Sequence, residues 1–146
     1  MTPLEELEHR FLPRLESTRE RVAARLPDYR FSVYSSPIGS RTPLQGHDVV
    51  LECFMPDAHP DQADNVAIII ALMHLTTEPA ICGASVDWGA GDNPGIHIDL
   101  VAEPIPFSSA ALAEVERKYP RLDEVFEQAV SAWRKRSPAQ HAFRAD

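Results

Sequence analysis

The stretch ASVDWGAGDNPGIHIDL, residues 84–100, decides the fold because it reads as two strands joined by a turn-forming loop. The loop spans 89–95 and ends in Asn93-Pro94-Gly95. This tripeptide fits a type II turn, in which proline takes the second position and glycine the third, where φ is positive. We therefore predict a β-hairpin, and we attribute the glycines to turn geometry.

The alternation of apolar and polar residues sets the register of this hairpin, because facing residues in an antiparallel pair share a face. One face is entirely apolar if the facing pairs are Trp88–Ile96, Val86–Ile98 and Ala84–Leu100. The other face then pairs Asp87 with His97 and Ser85 with Asp99. A shift by one residue would mix the two classes, so the pattern selects this pairing.

Further strands precede the hairpin. The predicted strands are 29–35, 47–55, 66–76, 80–88 and 96–102. Residues 66–76, VAIIIALMHLT, are apolar on both faces, which predicts a central strand; a buried helix is the alternative, but length and β-branching favour the strand. Its bulky set, Val66, Ile68, Ile70 and Leu72, is expected in the core. Its smaller set, Ala67, Ile69, Ala71 and Met73, is then expected beside Asp87 and His97.

Helices are predicted at both ends of the chain. Thr2 and Pro3 fit a helix start, and apolar residues with a helical period follow to Leu26. Pro13 interrupts that stripe and is expected to kink or split the helix. Ser108 or Ser109 is expected to cap a second helix, and Pro120 begins a third.

The order of elements predicts an α+β fold. It consists of an N-terminal helix, about five mostly antiparallel strands, and two C-terminal helices packed on one face of the sheet. The 146 residues fit a single domain, expected over 1–137, with a loose C-terminal tail over 138–146.

Charge and composition restrict the classes of function. The formal net charge is −8, from 22 acidic and 14 basic residues, and a basic stripe of the kind that binds nucleic acid is not visible. The charged N-terminus does not read as a secretory signal, and the longest apolar run is too short for a bilayer, so we expect a cytoplasmic protein. Cys53 and Cys82 are expected to be free thiols, unless their two segments are neighbours.

The polar face of the hairpin is the candidate site for catalysis. His97, oriented by Asp87 or Asp99, has the composition of a general acid–base pair, and Ser85 is the candidate nucleophile. The competing interpretation is a cross-strand ion pair in solvent. His97 and Asp99 could also supply two metal ligands with Asp87 as a third, but H-x-x-x-H and C-x-x-C spacings are absent. Phosphate binding by 89–95 is disfavoured because the loop leads into a strand. We expect neither a metal nor a cofactor.

Protein binding is the function that the sequence favours. The expected binding residues lie on the polar face and in the loop: Trp88, Asp87, Asp92, Asn93, His97 and Asp99. The acidic excess favours a basic partner. In size and charge the chain is similar to bacterial immunity proteins and to secretion chaperones, which implies a non-catalytic binding protein that neutralises a basic partner. A small enzyme or ligand-binding domain is the alternative, and the chain is expected as a monomer or homodimer.

Overall fold

A computed structural model describes residues 1–37, 46–54, 65–75, 78–88 and 97–134, apart from the side chains of residues 75, 88, 133 and 134. Within it the elements, in chain order, are α1 (Pro3–Arg25), β1 (Arg30–Pro37), β2 (Gly46–Phe54), β3 (Asn65–Leu75), β4 (Glu78–Trp88), β5 (Ile98–Asp99), β6 (Ile105–Pro106), α2 (Ser109–Arg117) and α3 (Tyr119–Arg134). The predicted α+β class is confirmed, with one short strand, β6, that the sequence pattern did not predict.

The strands form one antiparallel sheet in which chain neighbours are also sheet neighbours. The order is β1-β2-β3-β4-β5, and β6 pairs with β4 beside β5. The hairpin has the predicted register, because Ser85 faces Asp99 and Val86 faces Ile98. The N–H of Leu100 donates to the carbonyl of Ala84 at 2.8 Å. The predicted Trp88–Ile96 pair and the turn at 93–95 lie outside the described residues.

The last predicted strand, 96–102, is too long at its C-terminal end, since β5 ends at Asp99. The carboxylate of Asp99 explains this end. Its Oδ1 accepts hydrogen bonds from the N–H of Val101 at 2.9 Å and from the N–H of Ala84 at 3.2 Å. The first bond is an Asx-type turn, which directs the chain away from the sheet.

All three helices cover one face of the sheet, and the core lies between. The bulky residues of β3, from Val66 to Leu72, are buried as predicted. They join one cluster with α1 residues such as Phe11 and α3 residues such as Phe126. Cys53 lies in this core on β2, and Cys82 lies on β4 at a shift of register between Ala71 and Leu72 of β3. Because β3 separates their strands, the two cysteines are not neighbours, and both are free.

The helix ends follow the predicted capping. Thr2 Oγ1 accepts from the N–H of Glu5 at 3.1 Å, and Ser108 Oγ accepts from the N–H of Ala111 at 3.0 Å. α1 continues through Pro13, so the predicted split near Leu12 does not occur. Pro13 itself is exposed, whereas Phe11 and Leu15 on either side of it are fully buried. Packing of these neighbours offsets the lost backbone hydrogen bond.

α1 runs in the same direction as α2 and α3, and charged residues join them. Arg14 pairs with Glu116, Arg21 with Asp123 and Arg25 with Glu127, at a constant separation of 102 residues along the chain. A constant separation requires parallel helices. None of the helices in the described part of the chain is long and apolar enough to cross a membrane.

Candidate functional site

The face of the sheet opposite the helices is the candidate site, and we call it the open face. It carries the residues that alternate with the core residues along the strands. They include Ser32, Tyr34 and Ser36 of β1, Asp48, Val50 and Glu52 of β2, Ala67, Ile69, Ala71 and Met73 of β3, Gly83, Ser85 and Asp87 of β4, and Asp99 of β5. At one end of the face, Arg30 lies over the ring of Phe54, and Asn65 is paired with Phe54. Among the described elements, none packs on this face.

The strand register arranges the open face in three rows across the strands. The middle row is Tyr34, Val50, Ile69, Ser85 and Asp99. The row on one side is Ser32, Glu52, Ala67 and Asp87, and the row on the other side is Ser36, Asp48, Ala71 and Gly83. Each outer row therefore combines carboxylate and small residues, and a bulkier apolar ridge runs between them.

Parts of this face are dry although no described helix covers them. Only 3% of Val50, 4% of Ala67 and 8% of Ser85 is exposed to solvent. These three side chains alternate with the core residues of their strands and are nevertheless almost fully shielded from solvent. The ridge is thus a firm, partly apolar surface, and the carboxylates stand at its sides.

Neutral donors hold three carboxylates of the open face. Tyr34 Oη donates to Glu52, and Asn65 Nδ2 donates to the same carboxylate at 3.3 Å. Ser36 Oγ donates to Asp48 Oδ1 at 3.0 Å, and Ser85 Oγ donates to Asp87 Oδ2 at 3.0 Å. Hydrogen bonds of this kind orient a carboxylate and leave its negative charge uncompensated.

Acidic residues of the helical layer are bound quite differently. Glu116 accepts from Arg10 at 2.9 Å and from Arg14 at 3.0 Å. Burial opposes its ionisation, but the two arginine hydrogen bonds outweigh burial and lower the pKa of Glu116. All ion pairs between described residues lie in this layer, and Asp48, Glu52, Asp87 and Asp99 take part in none of them.

The net charge of the protein resides in the sheet-forming segment. Residues 26–108 contain eleven acidic and two basic residues, which gives −9. Residues 1–25 contain five of each, and residues 109–146 contain six acidic and seven basic residues, which gives 0 and +1. Since the helical segments sum to only +1, the negative excess of the chain belongs to the segment that contains the strands.

Of the predicted catalytic residues, Ser85, Asp87 and Asp99 lie on the open face, and His97 immediately precedes β5. Their hydrogen bonds are not those of an acid–base pair. His97 is exposed and forms no hydrogen bond with Asp87 or any other described residue. Asp87 bonds to Ser85, and Asp99 bonds to backbone N–H groups. The described residues contain no group of three or more potential metal ligands. Asp92, Asn93 and the side chain of Trp88 lie outside the described part.

A groove of about 790 Å³ lies on the other side of the molecule, between α1 and the α2–α3 pair. Its charged side chains include Arg10, Arg14 and Arg21 and the carboxylates of Glu6, Glu116 and Asp123, which already pair with one another. Because its cations and carboxylates balance, the groove offers no net attraction for a charged ligand. His97 and the open face contribute nothing to its lining.

Sequence reasoning missed Glu52, Asp48 and Tyr34 as members of the site. The predicted strands contained all three, and the pattern of β2 alone put Val49, Leu51 and Cys53 on one face. Joining them to Asp87 required the strand order, because Glu52 and Asp87 meet only through Ala67 of β3 between them.

Comparison of the chain with models of known protein families, with curated proteins and with solved structures gives no match. The function must therefore be argued from the geometry and charge of the open face.

Proposed function

We propose that this protein binds a basic protein partner through its open face. The observation that carries the proposal is the state of the carboxylates there: Asp48, Glu52 and Asp87 are oriented by neutral donors, and none of them forms an ion pair with a described residue. Carboxylates fixed in this way are organised for a cation from outside the chain, because their geometry is set before binding. Neutralisation of a basic toxin, as by immunity proteins, is one form that such binding takes.

The partly apolar ridge supports the same proposal. Interfaces combine an apolar centre with a polar, charged surround, and the open face has this arrangement in its middle and outer rows. Tyr34 and Ile69 are half-buried on the free face, so a partner would complete their burial. An arginine or lysine of the partner fits such a surface well, since its methylene stem packs on the ridge while its head group reaches a carboxylate.

The charge also indicates which partner is unsuitable. Two copies of this chain stacked by their open faces would bring like charges together, which is unfavourable by several kcal/mol when the charges lose their water. A catalytic use of the face has less support, because His97 is exposed and the large described groove lies among the helices. A cationic protein surface is the partner that complements the open face.

The experiment measures binding of a fluorescent oligo-arginine peptide, with a citrulline peptide of equal length as the neutral probe. One variant neutralises the open face with Asp48→Asn, Glu52→Gln and Asp87→Asn. The matched variant neutralises three α1 residues outside the interhelical ion pairs, with Glu5→Gln, Glu8→Gln and Glu20→Gln. Both changes alter the net charge equally, from −8 to −5.

We expect the open-face variant to lose affinity for the arginine peptide by at least about tenfold, while the α1 variant loses less than about threefold. The citrulline peptide should show no detectable binding to either variant. Equal losses in the two variants would mean that the peptide responds to net charge alone, and the assignment of binding to the open face would then be wrong.

A further inference from the structure

The outer edge of β1 is the second surface of interest. β1 is the terminal strand of the sheet, and in the described part of the chain nothing pairs with its outer side. Its interior, 31–36, reads FSVYSS and contains neither a charge nor a proline. Most proteins protect an exposed edge with lysine, proline, a bulge or a very short strand, since unpaired N–H and C=O groups recruit another strand.

The opposite edge of the sheet has these protections. Within the described residues, the sheet continues beyond β4 only as β5 and β6, two residues each. Pro106 lies within β6 and Pro104 just before it, and proline has no N–H to donate to a further strand. The sheet therefore has one protected edge and one edge, β1, whose inner six residues, 31–36, carry neither a charge nor a proline.

We propose that a second copy of this chain pairs with β1 along this edge, antiparallel, to form a homodimer with one continuous sheet. The inference does not depend on the proposed function, because it uses a different surface. Two neighbouring strands of the two copies would satisfy each other's outward N–H and C=O groups. The interface would be isologous, with the same strand on both sides.

The distribution of charge assigns a second copy, rather than a basic partner, to this edge. Two chains of charge −8 repel each other, so they can approach only where carboxylates are absent. The strand β1 carries none, whereas β2, β4 and β5 carry Asp48, Glu52, Asp87 and Asp99. A basic partner would find no anion on β1 and four carboxylates on the open face.

The side-chain pattern of β1 is compatible with pairing to itself. If the two-fold axis is perpendicular to the sheet, the helices of both copies lie on the same side of the continuous sheet. Residues that face each other across the two β1 strands must then both be odd-numbered or both be even-numbered. With Val33 opposite Val33 of the second copy, Ser32 faces Tyr34 and Phe31 faces Ser35, and Pro37 stays outside the paired stretch. Small residues then oppose aromatic ones, and no like charges meet across the axis.

Sedimentation of the protein between about 1 and 100 µM tests the proposal. We expect a species of twice the 16.3 kDa chain mass at the upper end of this range. Ser32→Pro and Val33→Pro then probe the pairing of β1. Successive N–H groups of a strand point alternately toward β2 and toward the free edge, so one of the two variants removes only an N–H at the free edge. That variant should keep its circular dichroism and dissociate at least about tenfold more readily.

Ser109→Pro is the control, since it places proline at the first position of α2, where proline is favoured, far from β1. It should remain a dimer. The proposal would be wrong if the wild-type protein stays monomeric up to about 100 µM. It would also be wrong if both β1 proline variants fold and both still dimerise like the wild type.

Hydrogen exchange of the wild-type protein covers the case in which neither β1 variant folds. Every second amide within 31–36 should exchange more slowly at about 100 µM protein than at about 1 µM, because the second copy accepts hydrogen bonds from these N–H groups. Protection that is the same at both concentrations would mean that the chain itself covers this edge, and the dimer would again be excluded.

Discussion

Asp99 shows how a residue with the appearance of a catalytic or binding group serves the fold. Its carboxylate accepts from the N–H groups of Ala84 and Val101, which are both buried. Asp87 lies on the same face, and among the described residues it accepts only from the hydroxyl of Ser85. The two aspartates are alike in sequence context, and only their hydrogen-bond partners distinguish them.

We predict that Asp99→Ala lowers the free energy of unfolding by about 1–3 kcal/mol, because it leaves two buried N–H groups without an acceptor. Asp87→Ala, the matched control, should cost less than about 1 kcal/mol, since its hydroxyl partner can turn to water. Urea unfolding measures both. Asp99→Asn keeps an oxygen at this position and should recover most of the loss; if it is as damaging as Asp99→Ala, the backbone bonds are not the cause.

Contacts between elements are most clearly seen where α1 meets α3. Thr18 Oγ1 and Tyr119 Oη are 2.7 Å apart in the interior, and Tyr119 Oη also lies 3.2 Å from the carbonyl of Arg14. The Tyr119 ring packs against Phe11, with centroids 6.4 Å apart. Burial raises the pKa of Tyr119 to about 12, because the phenolate would lose its water.

This pKa predicts an alkaline loss of stability. Below pH 10 Tyr119 is protonated in both the folded and the unfolded chain, and its contribution is fully present. Between pH 10 and about 12 the unfolded chain releases the proton while the folded chain retains it, so the free energy of unfolding falls, by up to about 2 kcal/mol for a shift of this size.

Tyr119→Phe should remove this part of the alkaline loss, and it should cost about 1 kcal/mol at neutral pH through the lost hydrogen bonds. The difference between variant and wild type isolates Tyr119, because every other ionisable group is the same in the two proteins. Urea unfolding at several pH values measures it. Parallel curves for the two proteins from neutral pH to pH 12 would contradict the prediction.

Individual elements were largely predictable from the sequence, because local periodicity and capping act over a few residues. The register of the hairpin followed from Val86, Ile98, Ser85 and Asp99 alone. The end of β5 was not predictable, since a side chain, Asp99, rather than a turn residue ends the pairing. The sequence left open whether Pro13 kinks or splits α1, and the helix is not split, because core packing on both sides of Pro13 overrides the local preference.

At the scale of the whole molecule, the open face combines residues that the sequence separates widely. Tyr34, Val50, Ile69 and Ser85 form one row only through three successive strand pairings. Alternation within each strand predicts which residues share a face, but the order of strands depends on long-range packing. Half of the site, the part within the hairpin, was therefore accessible from the sequence, and the part on β1 and β2 was not.

The separation of charge between the two layers also belongs to the whole molecule, and it can be tested without any partner. The helical segments sum to +1, while residues 26–108, which contain the strands, carry −9. Since charges are screened within about 10 Å at 0.1 M salt, an anion-exchange resin responds to the most acidic surface rather than to the net charge. The protein should therefore bind the resin through its open face.

We predict that, among the wild type, the open-face variant and the α1 variant, the wild-type protein needs the highest salt concentration to elute from an anion-exchange column at neutral pH. The open-face variant, with Asp48→Asn, Glu52→Gln and Asp87→Asn, should elute at the lowest. The α1 variant, with Glu5→Gln, Glu8→Gln and Glu20→Gln, should elute between them although its net charge is the same. Coelution of the two variants would show that the acidic excess acts as a diffuse net charge, and the open face would then have no special attraction for a cationic surface.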